Sequence, residues 1–406
     1  MSKLAIEGGK PVRTEPFMPW PHYEEDEIAA AAKTLRTGRV NYWTGDQARE
    51  FEKEFADAVG VKYAVALMNG TVALEAALIS CGIGADDEVI VTPRSYIASV
   101  SSVVTCGAKP VFADVDETSQ NLTAASIKKV ITPKTKALIL VHLAGWPCEM
   151  DKILALAKKH KLAVIEDCAQ AQGARYKGKA VGSFGDTGTF SFCQDKIMTT
   201  GGEGGMLTTN SKDIWSKVWS IKDHGKSYDA VYRGRIKPGA SFRWLHESFG
   251  SNWRMTEMQS AIGRRQLTKL DGWLAQRAQN ADILTKAFLN IPALRVMQTP
   301  EYIHHAYYKY YAFLRPDYLA RDWDQPRVIS AVAAEGVPCF SGSCPEIYLE
   351  KAFDKTDFRP ITPLPVAREL GQTSMMFLVH PTLTDVDMHD TVRAVEKVMA
   401  VASRKA

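Results

Sequence analysis

The 406-residue sequence predicts an α/β fold: a mainly parallel central sheet with helices on both faces over residues 1–265, and a smaller C-terminal α+β domain over 266–406. Three observations predict it. From residue 60 to about 210, short apolar runs alternate with helical stretches, the pattern of parallel strands joined by helices. The run LAVIED (162–167) stays apolar on consecutive positions until it ends in two acids, as a strand buried on both faces does. Beyond residue 300, strand-like YYKYYAFLR (307–315) and SMMFLVH (374–380) are separated by helical stretches, which suits a compact second unit.

In chain order, a mostly irregular N-terminal arm leads to helices near 24–38 and 47–59. YAVAL (63–67) reads as a strand, MNGT (68–71) as a turn and VALEAALISCG (72–82) as a helix with an alanine- and leucine-rich face. EVIVT (88–92), KPVFADV (109–115) and KALILVHLAG (136–145) supply further strands, the last followed by helical DKILALAKKH (151–160). TGTFSF (187–192) is strand-like. The polar stretch 225–250, with its glycines and aromatics, reads as a long loop, and 254–290 as helix. No internal repeat or low-complexity segment is present.

The chemistry concentrates on Lys196, in TFSFCQDKIMTTGGEGG (189–205), and on VIEDCAQAQGA (164–174) upstream. A lysine forms an imine with an aldehyde cofactor only if its amine is neutral and firmly placed, and a position beside a strand, ahead of a tight glycine turn, suits that task. Asp167, at a strand's carboxyl end where open α/β sheets bind ligands, is the candidate partner for a pyridine nitrogen. Gln170 is placed to donate to the phenolic oxygen of the same ring. Gly70 lets backbone approach a phosphate at a helix N-terminus, Thr71 adds a hydroxyl, and Ser191 adds another. Each feature alone has a plainer reading: a strand-end Glu-Asp as a helix N-cap, Lys196 as a solvated loop residue, a Gly-Thr turn as a mere cap. Their joint occurrence points to pyridoxal phosphate.

With these residues in place, the chain resembles the DegT/DnrJ/EryC1/StrS family of sugar aminotransferases, fold type I of the pyridoxal phosphate enzymes. The likeness runs from NYWTG (41–45) and NGTVALEAAL (69–78) through DEVIVTPRSYIAS (87–99) and the lysine segment to GSNWRMTEMQSAIG (250–263). It implies a Schiff base at Lys196, the pyridinium partner at Asp167, a ring contact from Gln170, and Tyr96 stacked on the ring. It also implies phosphate contacts from Gly70, Thr71 and Ser191, and from Asn252 toward the neighbouring subunit, hence a homodimer with shared active sites. The implied reaction moves an amino group from glutamate or glutamine, through pyridoxamine 5'-phosphate, to a keto sugar that is usually nucleotide-linked. LAIEGGKPVR, VHLAGWPCEMD (141–151) and GSNWRM also resemble the branch acting on inosose-like cyclitols or aminohydroxybenzoate precursors. A dehydratase of the same fold would carry histidine in place of Lys196, and a non-catalytic regulator would carry a degenerate pocket. Two positions depart from the family pattern: Arg94, read either as a substrate contact or as a surface residue paired elsewhere, and Ala171-Gln172, where relatives carry His or Leu. Tyr42 and Trp43 read either as packing on a bound ring or as dimer contacts.

Composition narrows the class further. With 46% hydrophobic residues the chain is able to bury a large core, and a net charge of +4 with no basic run gives no case for nucleic acid. Seven cysteines at irregular spacing read as reduced thiols of a cytoplasmic protein, and Cys339 with Cys344 lacks the second pair that a zinc site needs, so no metal is expected. No signal-peptide core or membrane-length apolar stretch is seen.

Overall fold

The computed structural model describes residues 3–232 and 245–404. Helices α1 (Glu25–Thr37) and α2 (Gln47–Val59) precede β1 (Tyr63–Leu67) and α3 (Gly70–Ser80). Next come β2 (Glu88–Val91), α4 (Ala98–Thr105), β3 (Lys109–Phe112), α5 (Ala124–Lys128), β4 (Thr135–Val141), α6 (Met150–His160) and β5 (Ala163–Asp167). A hairpin of β6 (Arg175–Tyr176) and β7 (Lys179–Ala180) leads to β8 (Thr187–Ser191), β9 (Gly205–Thr209) and α7 (Lys212–Lys222).

Seven of these strands form one sheet in the order β1-β9-β8-β5-β4-β2-β3. Only β9 runs antiparallel to its neighbours, so the mainly parallel sheet expected from the alternation is present. Consecutive strand residues face opposite sides, and two such pairs decide where the site lies. Phe190 of β8 and Phe192 just after it turn toward α2, where both rings pack against Phe55 at centroid distances of 4.9 and 5.5 Å. Ser191 between them therefore points to the other face, toward Gly70. Likewise Glu166 points down to the turn at Gly182–Gly185, and Asp167 points to α4. Each fully buried phenylalanine contributes about 1.5–3 kcal/mol, so the α2 contact holds this alternation in register.

The stretch read as a 225–250 loop is replaced in part by a short helix α8 (Tyr228–Tyr232), while residues 233–244 lie outside the described residues. Helix α9 (Glu257–Phe288) starts with a Thr256–Gln259 capping box and continues through the expected 265/266 division without a break. Its first half packs on α1 and α2, and its last turns enter a second core. That core surrounds a four-stranded antiparallel sheet whose central pair joins Tyr310–Leu314 to Ser374–Phe377, both shorter than expected. Leu4 of the N-terminal arm is buried in this C-terminal core. Arm residues are fastened there through Glu335, which accepts from the Ala5 and Val12 amides at 2.8 and 3.1 Å. Among the described residues, no helix is long and apolar enough to cross a membrane.

Candidate active site

Asp167 ends β5 and is almost fully buried. Its carboxylate accepts from the Ser99 hydroxyl at 2.7 Å and from the Ala169 amide at 3.1 Å. Burial raises its pKa above the ordinary aspartate value, and these two donors, then Lys196 and His142, pull against that shift. Glu166, one residue earlier, has a different task. It is wholly buried and accepts from the amides of Gly182, Phe184 and Gly185 at 2.7–2.9 Å. His142 takes the Cys148 amide on Nδ1, which leaves Nε2 as the proton donor to Glu166 at 3.0 Å. No helix follows these two acids, so the N-cap alternative fails. The ligand atoms of His142, Glu166 and Cys168 lie within 4.8 Å of one another. Yet His142 and Glu166 already bond to each other and to backbone, and the trio reads as a structural clamp.

The phosphate-type corner forms where β8 meets α3. Gly70 and Thr71 are the first two residues of α3, which starts two residues earlier than the sequence suggested, because the Asn69 side chain caps the helix by accepting from the Val72 amide at 3.0 Å. Helix geometry supplies no carbonyl to the Gly70 and Thr71 amides, which lie at the positive end of the helix. A Cβ on Gly70 would sit 2.7 Å from the Ser191 Cβ, so only glycine lets α3 and β8 meet this closely. Gln172 holds the end of β8 by donating to the Ser191 carbonyl at 2.6 Å.

Lys196 lies on the turn after β8, with 16% of its side chain exposed, so it is not the solvated loop residue of the plain reading. Its Nζ donates to the Tyr308 hydroxyl at 3.4 Å and lies 3.4 Å from Asp195. The Tyr308 hydroxyl in turn donates to Asp195. Burial alone would raise the Asp195 pKa, but Lys196 and Tyr308 outweigh it and hold the carboxyl below its ordinary value. Trp20 donates its indole proton to the Lys196 carbonyl at 2.7 Å, fixing the backbone from the arm. Lys196, Gln170 and Tyr96 open on one cavity of about 610 Å³. The Gln170 carbonyl oxygen is held by the Ala144 amide at 2.8 Å, which aims its NH₂ elsewhere, and Tyr96 is 69% exposed.

Other candidates fall outside this cavity. Arg94 is neither a surface residue nor a cavity contact: it is completely buried, donating to Gln120 at 2.8 Å and to Ser374 at 3.0 Å. Tyr42 is buried beside Trp219 and Glu52, and Trp43 stacks on Tyr232 at 6.3 Å, so neither ring lines the Lys196 cavity of its own chain. Asn252 is exposed, on a segment tied to α7 by a bridge to Asp223, and it does not line that cavity either. The sequence reading missed Ser99, Tyr308, Asp195 and Trp20. Tyr308 and Trp20 lie 112 and 176 positions from Lys196, and no local spacing signals such contacts.

Comparison with known proteins identifies the class. The chain belongs to the DegT/DnrJ/EryC1/StrS aminotransferase family, whose model matches residues 21–396. It is similar to a crystallised aminotransferase from Psychrobacter cryohalolentis, at 55% identity over 95% of this chain and 99% of that one, with a TM-score of 0.93. It is also similar to GDP-perosamine synthase of Caulobacter vibrioides, 50% identical over 228 residues, which is 56% of this chain and 58% of that protein, less than two thirds of its length. L-glutamine:2-deoxy-scyllo-inosose aminotransferase of Streptoalloteichus tenebrarius is 36% identical over 98% of this chain and 97% of its own. The protein is thus an aminotransferase of fold type I, dependent on pyridoxal phosphate. The residues present fit that group. A lysine amine, an exposed aromatic face and an oriented amide share one cavity, a buried carboxylate ends a neighbouring strand, and a helix N-terminus narrowed by Gly70 supplies the anion corner.

Proposed function

We propose that the protein moves an amino group from glutamate or glutamine to a keto sugar carried on a nucleotide, in the cytoplasm, with Lys196 and Asp167 as its catalytic residues. The observation that carries this reading is the shared cavity of Lys196, Gln170 and Tyr96 beside the buried Asp167 carboxylate. Similarity to a GDP-perosamine synthase supports the nucleotide sugar.

Bound pyridoxal phosphate supplies an electron sink for the pair left when the donor's α-carbon loses its proton. Lys196 Nζ would take that proton and hold it for return within the same cycle, and would serve in the reverse sense for the keto substrate. The link from Lys196 through Tyr308 to Asp195 orients the amine between these positions. Asp167 would hold the ring nitrogen, whose proton would offset the penalty that burial places on the carboxylate's charge. The Gln170 amide would donate to the phenolic oxygen, Tyr96 would face the ring, and Gly70, Thr71 and Ser191 would hold the phosphate.

A cyclitol acceptor is the second reading, favoured by the inosose aminotransferase that aligns with nearly the whole chain. Purified enzyme given glutamate or glutamine and either the GDP-linked keto precursor of perosamine or 2-deoxy-scyllo-inosose distinguishes the two. Mass spectrometry should find an aminated nucleotide sugar. Amination of the cyclitol alone would transfer the assignment, and amination of neither would defeat both.

The active unit in this reading is a homodimer, with Asn252 reaching the phosphate held by the other subunit. Its exposure, on a segment whose Trp253 carbonyl accepts from Met68 just ahead of α3, supports a reach outward from the phosphate edge. Part of the polar stretch that was to carry this segment outward lies among the undescribed residues 233–244. Hybrids of wild type with an Asn252→Ala, Lys196→Ala double variant should bind cofactor more weakly at the lysine-bearing site than wild-type dimers do. Normal cofactor affinity at that site would show that Asn252 acts within its own chain.

A further inference from the structure

Behind Tyr308 lies a second cavity of about 580 Å³, walled by the arm from Pro16 to Trp20 and by Arg277, Lys309 and His380. It shares Asp195, Tyr308 and Lys309 with the Lys196 cavity, so the two are neighbours across one wall. Two cations on that wall have no acid of their own among the described residues. Arg277 is 1% exposed and gives Nη1 to the Tyr307 and Tyr308 carbonyls, both at 3.2 Å, while Nε is buried without a partner. Lys309 makes no hydrogen bond or ion pair with any described residue, and its ammonium lies 4.8 Å from the centroid of the Tyr308 ring. The nearby carboxylate, Asp195, is already engaged by Tyr308 and Lys196. A guanidinium held out of water and a half-buried ammonium, both without counter-charge, carry a desolvation cost that a bound anion relieves.

We propose that Lys309 and Arg277 form the binding site for the carboxylate of the amino-acid donor. The proposal rests on the transamination reading above and specifies where the donor sits. Lys196 Nζ lies 5.0 Å from the same Tyr308 ring centroid, so both ammonium groups border one ring. A donor's α-carboxylate is one bond from the carbon that Lys196 deprotonates, so the group that holds it must border the Lys196 cavity, as Lys309 does. A nucleotide's phosphates are held away from the reacting keto carbon by the sugar ring. Trp20, stacked over Arg277 at 5.4 Å, and Phe17 give the aliphatic part of the donor an apolar wall. Burial pushes Lys309 down to about 8, against the pull of Asp195 and with the repulsion of Arg277 and Lys196. His380, on the same wall, is pushed down to about 3 by burial and then by Arg277 and Lys309, so it is neutral and does not compete for the anion.

Lys309→Met keeps the stem and removes the charge, and Arg277→Lys keeps the charge and removes the planar fork. Stopped-flow absorbance on cofactor-loaded enzyme separates the glutamate half-reaction from the keto-sugar half-reaction. Loss of one partner of a charge pair predicts about a thirtyfold or greater rise in the glutamate concentration for half-saturation in Lys309→Met, well beyond any change in the keto-sugar half-reaction. In wild type, kcat/KM for glutamate should fall above about pH 8 as Lys309 loses its proton, and Lys309→Met should lack that limb. Calorimetry with unreactive glutarate should show binding to wild type and its loss in Lys309→Met and Arg277→Lys. Unchanged glutarate affinity in both variants, or a loss confined to inorganic pyrophosphate binding and the keto-sugar half-reaction, would overturn the site. If glutamate and glutamine both fail to react with wild type, the donor reading falls, while the glutarate comparison still decides whether the carboxylate site exists.

Discussion

Lys196→Ala should abolish turnover while leaving the fold intact, because among the described residues the lysine's side chain bonds or pairs only with Tyr308 and Asp195, at the cavity. Removal of the group that both anchors the cofactor and moves the proton predicts a loss of about 10⁴-fold or more, beyond the 10²–10⁴ typical of general acid-base catalysis alone. Borohydride reduction of wild type followed by peptide mapping should place the cofactor on the peptide spanning residues 189–205. A label on another lysine, or substantial turnover by the variant with circular dichroism unchanged, would refute the assignment.

Asp167→Asn should give the next largest effect. The replacement keeps size but only one acceptor oxygen, so it removes the charge together with one of the two bonds from Ser99 and Ala169. A lost buried hydrogen bond costs about 1–3 kcal/mol, whereas an unprotonated ring nitrogen weakens the electron sink itself. The donor half-reaction, followed by cofactor absorbance, should therefore slow by several orders of magnitude, with cofactor still bound. Ser99→Ala offers the control, since it removes one donor to the carboxylate and leaves the charge. Near-normal proton transfer in Asp167→Asn would mean that another group tunes the ring.

The residues foreseen from sequence were those whose role is written in local pattern. The lysine ahead of a glycine turn, the acids at the end of an apolar run and the Gly-Thr before an alanine-rich helix all lie on the short connections of the sheet, where order along the chain is also order in space. Arg94 shows the limit. Its neighbours in sequence are polar, and nothing near it announces that Gln120 and Ser374 meet it in the interior. Nor did the YYKYYAFLR run, read as a strand, reveal that only Tyr310–Leu314 pairs, leaving Tyr308 and Lys309 free to line the cavities. The helix start was misplaced by two residues although Asn69 is a strong cap, because the following Gly-Thr was read as turn chemistry. The hairpin of β6 and β7, which also pairs with Ile303–His304, consists of two-residue strands below the length that alternation reveals.

Helix α9 touches three walls of this molecule through three polar side chains. Gln266 accepts from the Thr199 amide in the lysine turn at 2.8 Å, Arg277 holds the Tyr307 and Tyr308 carbonyls, and Asn280 donates to the Val379 and His380 carbonyls. These residues work only in a shared rotational phase. Deletion or insertion of one residue between them turns everything downstream by about 100° and shifts it by about 1.5 Å, so Arg277 and Asn280 would lose their partners together. Change in acceptor preference over evolutionary time is therefore expected to enter through loop lengths and side-chain exchanges around the cavities, with the spacing from Gln266 to Asn280 kept free of gaps.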